Sequence, residues 1–186
     1  MRIIAGKFRG RRLQTPPSDQ TRPTSDRLRE TLFNILAPRN QAVRFLDLCA
    51  GTGAIGIEAL SRGAKHVVFV DQSRKMCGLI EANLKSLDIA SDAYQIVQTE
   101  VLDYLKRHVK KCELPFNIAF FDPPYAANYD ESLSFIGEHS SQILEAEGIL
   151  IVEHYKKKEL ADRFSGLTRY RELKQGDSVL SFYQAP

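Results

Sequence analysis

The chain has 186 residues, of which 43% are hydrophobic and 26% charged, and its net charge is +3. This composition predicts one globular domain, with or without a short appendage, and excludes disorder, collagen and coiled coil as descriptions of the whole chain. The apolar runs are too short to cross a bilayer, and the start lacks the apolar core of a signal peptide. Three cysteines without Cys-x-x-Cys spacing predict neither a disulfide framework nor a zinc site, so a reducing cytoplasm is expected.

The positive charge is concentrated near the amino terminus. Residues 1–44 contain ten Lys or Arg and three Asp or Glu, a net charge of +7, which leaves −4 for the remainder. Such a distribution predicts an appendage that binds a polyanion, although a solvated, flexible tail would have the same composition.

Two elements are predicted within this basic segment. Residues 1–15 have the pattern of a small hairpin, and prolines follow it. A helix then begins after an N-cap at Thr24 or Ser25 and ends at Pro38. We therefore divide the chain into a basic extension, residues 1–40, and a main domain, residues 41–186.

From Val43 onward, strand-like and helix-like runs alternate, which predicts an α/β fold of Rossmann-like type with helices on both faces. The sheet should have seven strands, mostly parallel, with an antiparallel hairpin around Gln175-Gly176-Asp177 at one edge. The predicted strands are 43–48, 66–70, 93–99, 117–121, 148–153, 169–174 and 178–184, and the predicted helices are 54–62, 73–87, 101–110, 131–144 and 157–163.

A glycine-rich turn follows the first predicted strand of the sheet. Gly51, Gly53 and Gly56 form a G-x-G-x-x-G pattern that opens a helix and permits close approach of a ligand to the backbone. Asp71 ends the second strand, where an acid can bind both hydroxyls of a ribose. Asp47 precedes the loop, where a carboxylate would repel a pyrophosphate but suits the ammonium of a methionine moiety. The pattern therefore favours S-adenosylmethionine over a dinucleotide.

The fourth strand of the sheet ends in Asp122-Pro123-Pro124-Tyr125. Two prolines make this loop rigid, and the Asp122 carboxylate and Pro123 carbonyl can both accept hydrogen bonds from an exocyclic amino group. Tyr125 offers a flat face for stacking on an extruded base. The loop predicts a site for methylation of a base amino nitrogen, with Asp122, Pro123 and Tyr125 at the reacting centre.

An acid after the third strand is expected to contact the adenine of the cofactor. Glu100 and Asp103 are both candidates, and spacing favours Glu100, with the Val101 amide donating to the ring. An acid at a helix start can also serve the helix dipole, which is a strong alternative for Asp103.

Together, Asp47-x-x-x-Gly51-x-Gly53, Asp71 and Asp122-Pro123-Pro124-Tyr125 resemble the class I S-adenosylmethionine-dependent methyltransferases that act on exocyclic amino groups. The amino-terminal segments Arg2–Gly6, Arg9–Leu13 and Arg22–Asn34 resemble the bacterial RsmD family. This resemblance also includes Gly56–Ala64 and spans nearly the whole chain.

The resemblance implies methylation of guanine N2 in small-subunit (16S) ribosomal RNA. No metal is expected, because the methyl group on sulfonium is already activated, and the sequence predicts a cytoplasmic monomer that binds no membrane. Free RNA, an assembly intermediate and the finished subunit all stay open as the substrate. The residues that the resemblance implies are Asp47, Gly51, Gly53, Asp71, Glu100 and Val101 for the cofactor, Asp122, Pro123 and Tyr125 for the base, and Arg9, Arg11, Arg12, Arg22 and Arg27 for RNA.

Three other functions are compatible with parts of the pattern. A DNA or RNA adenine-N6 methyltransferase uses the same proline loop, but 186 residues leave little room for a separate sequence-reading domain. A nonenzymatic RNA-binding assembly protein with a vestigial cofactor fold is disfavoured by the intact Asp47, Asp71 and Asp122. A nicotinamide dehydrogenase is disfavoured by Asp47 and by the proline loop.

Overall fold

Strands and helices alternate along most of the chain, as the sequence predicts. The structure is a computed structural model that describes residues 1–16, 25–124 and 129–185. Its elements, in chain order, are α1 (Asp26–Leu36), β1 (Arg44–Leu48), α2 (Ala54–Ser61), β2 (His66–Asp71), α3 (Arg74–Ser86), β3 (Tyr94–Gln98), α4 (Val101–Lys110), β4 (Phe116–Phe121), α5 (Asp130–Glu138), α6 (Ser140–Ile143), β5 (Leu144–Tyr155), β6 (Arg163–Phe164), β7 (Leu167–Gln175) and β8 (Ser178–Gln184).

All of these strands join one sheet, in the order β3-β2-β1-β4-β5-β8-β7-β6. Strands β1 to β5 are parallel, whereas β8, β7 and β6 add antiparallel pairs at one edge. The chain builds outward from β1 to β3 and then returns to place β4 on the other side of β1. In open sheets, the ligand crevice lies at the carboxyl ends of the strands beside such a reversal.

Apolar layers cover both faces of the sheet. The first layer contains residues of the amino-terminal hairpin, α1, α2 and α3, together with Phe45, Phe69 and Phe120 of the strands. The second layer contains residues of α4, α5 and α6, together with Leu46 and Phe121. Because both faces of the central strands are covered, these strands are almost continuously apolar. Within the described ranges, no helix is long and apolar enough to span a membrane.

The amino-terminal hairpin is present in a reduced form, with a single antiparallel bridge between Arg2 and Arg12. Glu58 of α2 fixes it, because its Oε2 accepts the N–H of Ile4 (2.8 Å) and its Oε1 accepts that of Ala5 (3.0 Å). Ile3 and Leu13 are buried in the first apolar layer. A free tail therefore does not describe residues 1–16, while the predicted boundary at residue 40 stays a prediction.

The helix that follows begins as predicted, since the Ser25 hydroxyl accepts the N–H of Leu28 (3.1 Å) as the N-cap. The helices predicted over 54–62, 73–87 and 101–110 are confirmed as α2, α3 and α4. All seven predicted strands are also present, and the turn at Gly176-Asp177 joins β7 to β8. The sheet differs in having an eighth strand, the two-residue β6, which pairs with β7 at the edge.

The prediction of a helix over 157–163 is wrong, because residues 156–162 form turns and irregular chain. Donors from the neighbouring strands bind carbonyls of this segment. The Tyr183 hydroxyl donates to the Ala161 carbonyl (2.9 Å), and the Arg169 N–H donates to the Asp162 carbonyl (2.8 Å). Burial of Leu160 holds the segment against the sheet. Tertiary contacts therefore override the local helical pattern.

The helix predicted over 131–144 is divided at His139 into α5 and α6. The carbonyl of Gly137 near the end of α5 accepts the N–H of Gly166 (3.1 Å), so a loop from the sheet edge takes this acceptor. The next strand, β5, then begins at Leu144 rather than at Gly148, with an irregularity in its pairing to β4.

Candidate functional site

A cavity of about 780 Å³ lies at the carboxyl ends of β1, β2, β4 and β5. Its volume is within the usual range for small-molecule sites. Of the described residues that line it, six are carboxylic acids and none is Lys, Arg or His. Such a lining repels a pyrophosphate and attracts a cationic ligand. The six acids are Asp47, Asp71, Glu100, Asp122, Glu131 and Glu153.

Four of these acids share one face of the sheet. In the parallel register, Asp47 of β1 is the partner of Phe69 in β2 and of Phe120 in β4. Phe120 is also the partner of Ile151 in β5. Successive side chains alternate between faces, so the residue two positions beyond each partner shares the face of Asp47. We call the resulting four side chains the acid row, which in sheet order consists of Asp71, Asp47, Asp122 and Glu153.

The loop between β1 and α2 turns sharply because three of its residues adopt a positive φ: Cys49 (60°), Gly51 (54°) and Gly53 (76°). Gly53 is the N-cap of α2. Gly56 permits close packing of the helix on the sheet, since a Cβ there would lie 2.3 Å from the Phe69 ring. The glycine pattern thus brings the helix start close to the end of β1.

Asp71 is fixed between this loop and α3. Its Oδ2 accepts the N–H of Gly51 (2.8 Å), and its Oδ1 accepts the N–H of Ser73 (2.8 Å). Each carboxylate oxygen retains a further lone pair for a ligand at the cavity. The contact to two ribose hydroxyls stays a prediction, and this fixed carboxylate suits it.

Asp47 is only 2% exposed and accepts one backbone hydrogen bond, from the Gly56 N–H to its Oδ2 (2.9 Å). Burial raises the pKa of this carboxyl to about 8, and the nearby Asp71 adds to the rise, while the Gly56 hydrogen bond opposes it. A cationic group in the cavity would restore the ionised form.

Asp122 directly follows β4 and donates its backbone N–H to the Leu48 carbonyl (3.3 Å). The pKa of its carboxyl lies well above the usual range, first because burial disfavours the charge and second because Glu153 and Asp47 are close. Pro123 is buried and also lines the cavity. Tyr125 lies outside the described residues, so its stacking role stays a prediction.

The start of α4 reaches the opposite side of the cavity. Glu100 and Val101 both line it, whereas the exposed Asp103 is not among the described lining residues. This placement favours Glu100 over Asp103 as the adenine contact.

Four of the five predicted RNA-binding arginines belong to the described residues, and none of these four lines the cavity. Arg9, Arg11 and Arg12 are exposed on the hairpin, and Arg27 is exposed on α1. The guanidinium of Arg11 also donates to the Ser86 carbonyl at the end of α3 (2.7 Å). Arg22 lies outside the described residues, and RNA contact by all five arginines stays a prediction.

Two residues of this region were missed by the sequence reasoning. Glu153 could have been found, because the fifth predicted strand ends in an acid, as the first two do. Asn83 had no local signal: it is buried in α3, accepts the Gln14 N–H (2.8 Å), and donates to the carbonyls of Gln14 (3.2 Å) and Thr52 (3.3 Å). It thereby joins the hairpin segment to the glycine-rich loop.

Across the described ranges, no three His, Cys, Asp or Glu side chains form a group that could hold a metal ion.

Comparison with known proteins places the chain in a family. A family model described as Conserved hypothetical protein 95 matches residues 1–184. The ribosomal RNA small subunit methyltransferase D of Haemophilus influenzae is 34% identical over 181 residues, 92% of each chain. Its namesake from Escherichia coli K12 is 34% identical over 184 residues, 99% of this chain and 89% of the relative.

A solved structure of the Escherichia coli protein yhhF superposes with a TM-score of 0.85 at 33% identity, covering 100% of this chain and 97% of the other. The likeness in sequence and in structure thus extends over almost the whole chain. The chain belongs to the Conserved hypothetical protein 95 family, which is the RsmD family that its motifs resemble.

Proposed function

We propose that this protein transfers a methyl group from S-adenosylmethionine to the exocyclic N2 of a guanine in small-subunit ribosomal RNA. We further propose that it acts in the cytoplasm as a monomer and without a metal. The observation that carries the proposal is the acid row in a cavity whose described lining has no basic side chain. The names of the relatives, ribosomal RNA small subunit methyltransferase D, support the class of substrate.

The chemistry of the lining fits S-adenosylmethionine, which carries a sulfonium and an ammonium, both positive. Asp47 would hold the ammonium, because its buried carboxyl gains a counter-charge there. Asp71 would bind the ribose hydroxyls with the lone pairs that its backbone donors leave. Glu100 would accept from the adenine amino group, and the Val101 N–H would donate to the ring.

The base is handled by the end of β4. The Asp122 carboxylate and the Pro123 carbonyl accept the two N–H groups of the guanine amino nitrogen, which orients the nitrogen for in-line attack. The bound cofactor supplies a methyl group already activated on sulfonium. Asp122 stabilises the positive charge that grows on the nitrogen and receives its proton late in the reaction.

The basic hairpin would contact RNA. Its exposed Arg9 and Arg12 lie on a segment whose backbone is held by α2, so phosphate contacts there would be positioned relative to the cavity. Arginine contacts to phosphate orient the RNA without reading its sequence. The choice of guanine therefore depends on the cavity, and the choice of site depends on the shape of the RNA.

Labelled S-adenosylmethionine, incubated with ribosomal RNA and with subunits from a strain that lacks the enzyme, tests the proposal. The label is expected on N2 of one guanine of small-subunit RNA, and the Asp122→Asn variant should transfer little while still binding cofactor. Label on adenine N6 would instead support the rival methyltransferase. Cofactor binding without any labelled RNA would contradict the proposed reaction.

A further inference from the structure

Glu153 and Asp122 are neighbours across two adjacent parallel strands. The register pairs Phe121 of β4 with Val152 of β5, so the next residues, Asp122 and Glu153, lie side by side just beyond the end of β4. Adjacent strands are about 5 Å apart, and both side chains belong to the acid row. Both line the cavity. The proposed reaction uses Asp122 and gives Glu153 no role.

Glu153 is only 3% exposed, and Asp122 is partly buried. Burial disfavours a charge on either group, and two ionised neighbours would also repel each other. The raised pKa of Asp122 has these two causes, with burial the larger and Glu153 the next. Two interacting carboxyls of this kind titrate as a pair, and the pair retains one proton over a wide range of pH.

The groups that face this pair from other elements are mostly acids. Asp47 lies on β1, and Cys49 follows it, with Asp71, Glu100 and Glu131 further along the cavity. Met1, which carries the amino-terminal ammonium, also lines the cavity. From the α5 side, Tyr129 lines the cavity. Lys158 stands over the Tyr129 ring at 3.9 Å and forms an ion pair with Asp130 at 3.1 Å. The facing groups therefore favour retention of a proton by the pair.

We propose that Glu153 is a positioning residue of the methyl-transfer site, sharing one proton with Asp122 and holding it while Asp122 faces the substrate amino group. This inference rests on the proposed function. An amino group that donates N–H to Asp122 favours its ionised form, and the shared proton then moves to Glu153. Protonated Glu153 in turn donates to the Asp122 carboxylate and fixes its orientation.

The proton balance of the reaction follows from this arrangement. Asp122 accepts the proton that the nitrogen loses as the nitrogen–carbon bond forms and the carbon–sulfur bond breaks, with the electron pair remaining on sulfur. The pair then holds two protons and returns one to solvent. Above the pH at which the pair loses its shared proton, Glu153 can no longer donate to Asp122, so the rate should decline.

The test compares Glu153→Gln with Glu153→Ala in single-turnover methyl transfer across a range of pH. Glutamine keeps an N–H donor but cannot ionise, so this variant should retain the rate within a few-fold and lose the alkaline decline. Alanine removes the donor and should slow transfer by about 10–100-fold below the pH of the wild-type decline, as loss of positioning does, with a smaller difference from the wild type above it. Glu145→Gln, an exposed site at the other end of the same strand, should keep the wild-type profile.

An alkaline decline that persists in Glu153→Gln, or equal losses in the Gln and Ala variants, would overturn the proposal. Infrared titration of the carboxyls without substrate gives a second measurement. The titration is done in Asp47→Asn, which removes the other carboxyl that keeps its proton at neutral pH. A protonated carboxyl should persist at neutral pH in this protein and titrate at lower pH when Glu153→Gln is added, whereas unchanged titration would contradict a shared proton. Because this measurement needs no turnover, it decides the shared proton even if no guanine is methylated and the proposed function fails.

Discussion

Two carboxylates buried on the same face of the sheet have contrasting surroundings. Glu58 of α2 accepts the backbone N–H groups of Ile4 and Ala5 and the Arg62 guanidinium (2.7 Å). Asp47, at the end of β1, accepts a single hydrogen bond from Gly56, and its pKa is raised to about 8. Both side chains are almost completely enclosed.

This difference in hydrogen-bond partners indicates that Glu58 has a structural role, whereas Asp47 is available to a cationic ligand. The chain supplies all the partners that Glu58 needs, and uses them to fix the hairpin on α2. Around Asp47 and Asp122, burial first and neighbouring acids second destabilise the charged state when the cavity holds no cation. The predictions below test this separation.

Replacement of Asp122 should have the largest effect. Asp122→Asn keeps the shape but removes the charge that accepts the proton, so turnover should fall by about 10²–10⁴-fold. Cofactor affinity, measured by calorimetry, should stay within a few-fold because the carboxylate faces the base. Near-normal methylation by this variant would remove Asp122 from the reaction.

Replacement of Glu58 should act on stability instead. Glu58→Ala leaves the buried Arg29 with one partner fewer, and the loss of one member of a buried ion pair costs about 3–5 kcal/mol. Urea unfolding measures the change. Glu81→Ala, which breaks the exposed Glu81–Lys85 pair (2.7 Å), should change the free energy of unfolding much less, because solvent screens that pair. Similar losses in the two variants would refute the structural role of Glu58.

The raised pKa of Asp47 predicts a pH dependence of the free energy of unfolding. Because the folded carboxyl keeps its proton up to pH about 8 and the unfolded one loses it near its ordinary value, stability should fall as pH rises between those values. Asp47→Asn should reduce that slope in urea unfolding. Binding of S-adenosylmethionine at neutral pH should release a proton in the wild type, and less in the variant, as calorimetry in buffers of different ionisation enthalpy would show.

The backbone of the hairpin is fixed by Glu58, whereas its arginine side chains are proposed to bind RNA. Joint replacement of Arg9, Arg11 and Arg12 by Ala should weaken RNA binding and reduce its salt slope by about 0.7–0.9 per lost phosphate contact. Cofactor affinity should be unchanged. Replacement of Lys110 and Lys111, exposed at the end of α4, is the matched control and should leave the slope as it was. An equal slope in the triple variant would leave the arginines without a role in RNA binding.

Local patterns predicted the positions of the cavity residues well, because strand periodicity and the glycine motif place Asp47, Asp71 and Asp122 at the same edge of a parallel sheet. What they did not predict depends on contacts between distant segments. The helix expected over 157–163 is lost to hydrogen bonds from Tyr183 and Arg169, and Asn83 has partners 31 and 69 residues away. Likewise, nothing within residues 1–15 indicates that Glu58 will fix the hairpin.

The attachment of the hairpin has a consequence for how the chain folds during synthesis. Its hydrogen-bond partners on α2 and α3 lie 53 to 75 residues further along the chain. Translation delivers the amino terminus first, at about 5–20 residues per second, so the hairpin emerges well before the surface it packs on. The first segment to be made therefore cannot acquire these contacts until α2 and α3 have been made, and its arginines are exposed to any RNA near the translating ribosome during that interval.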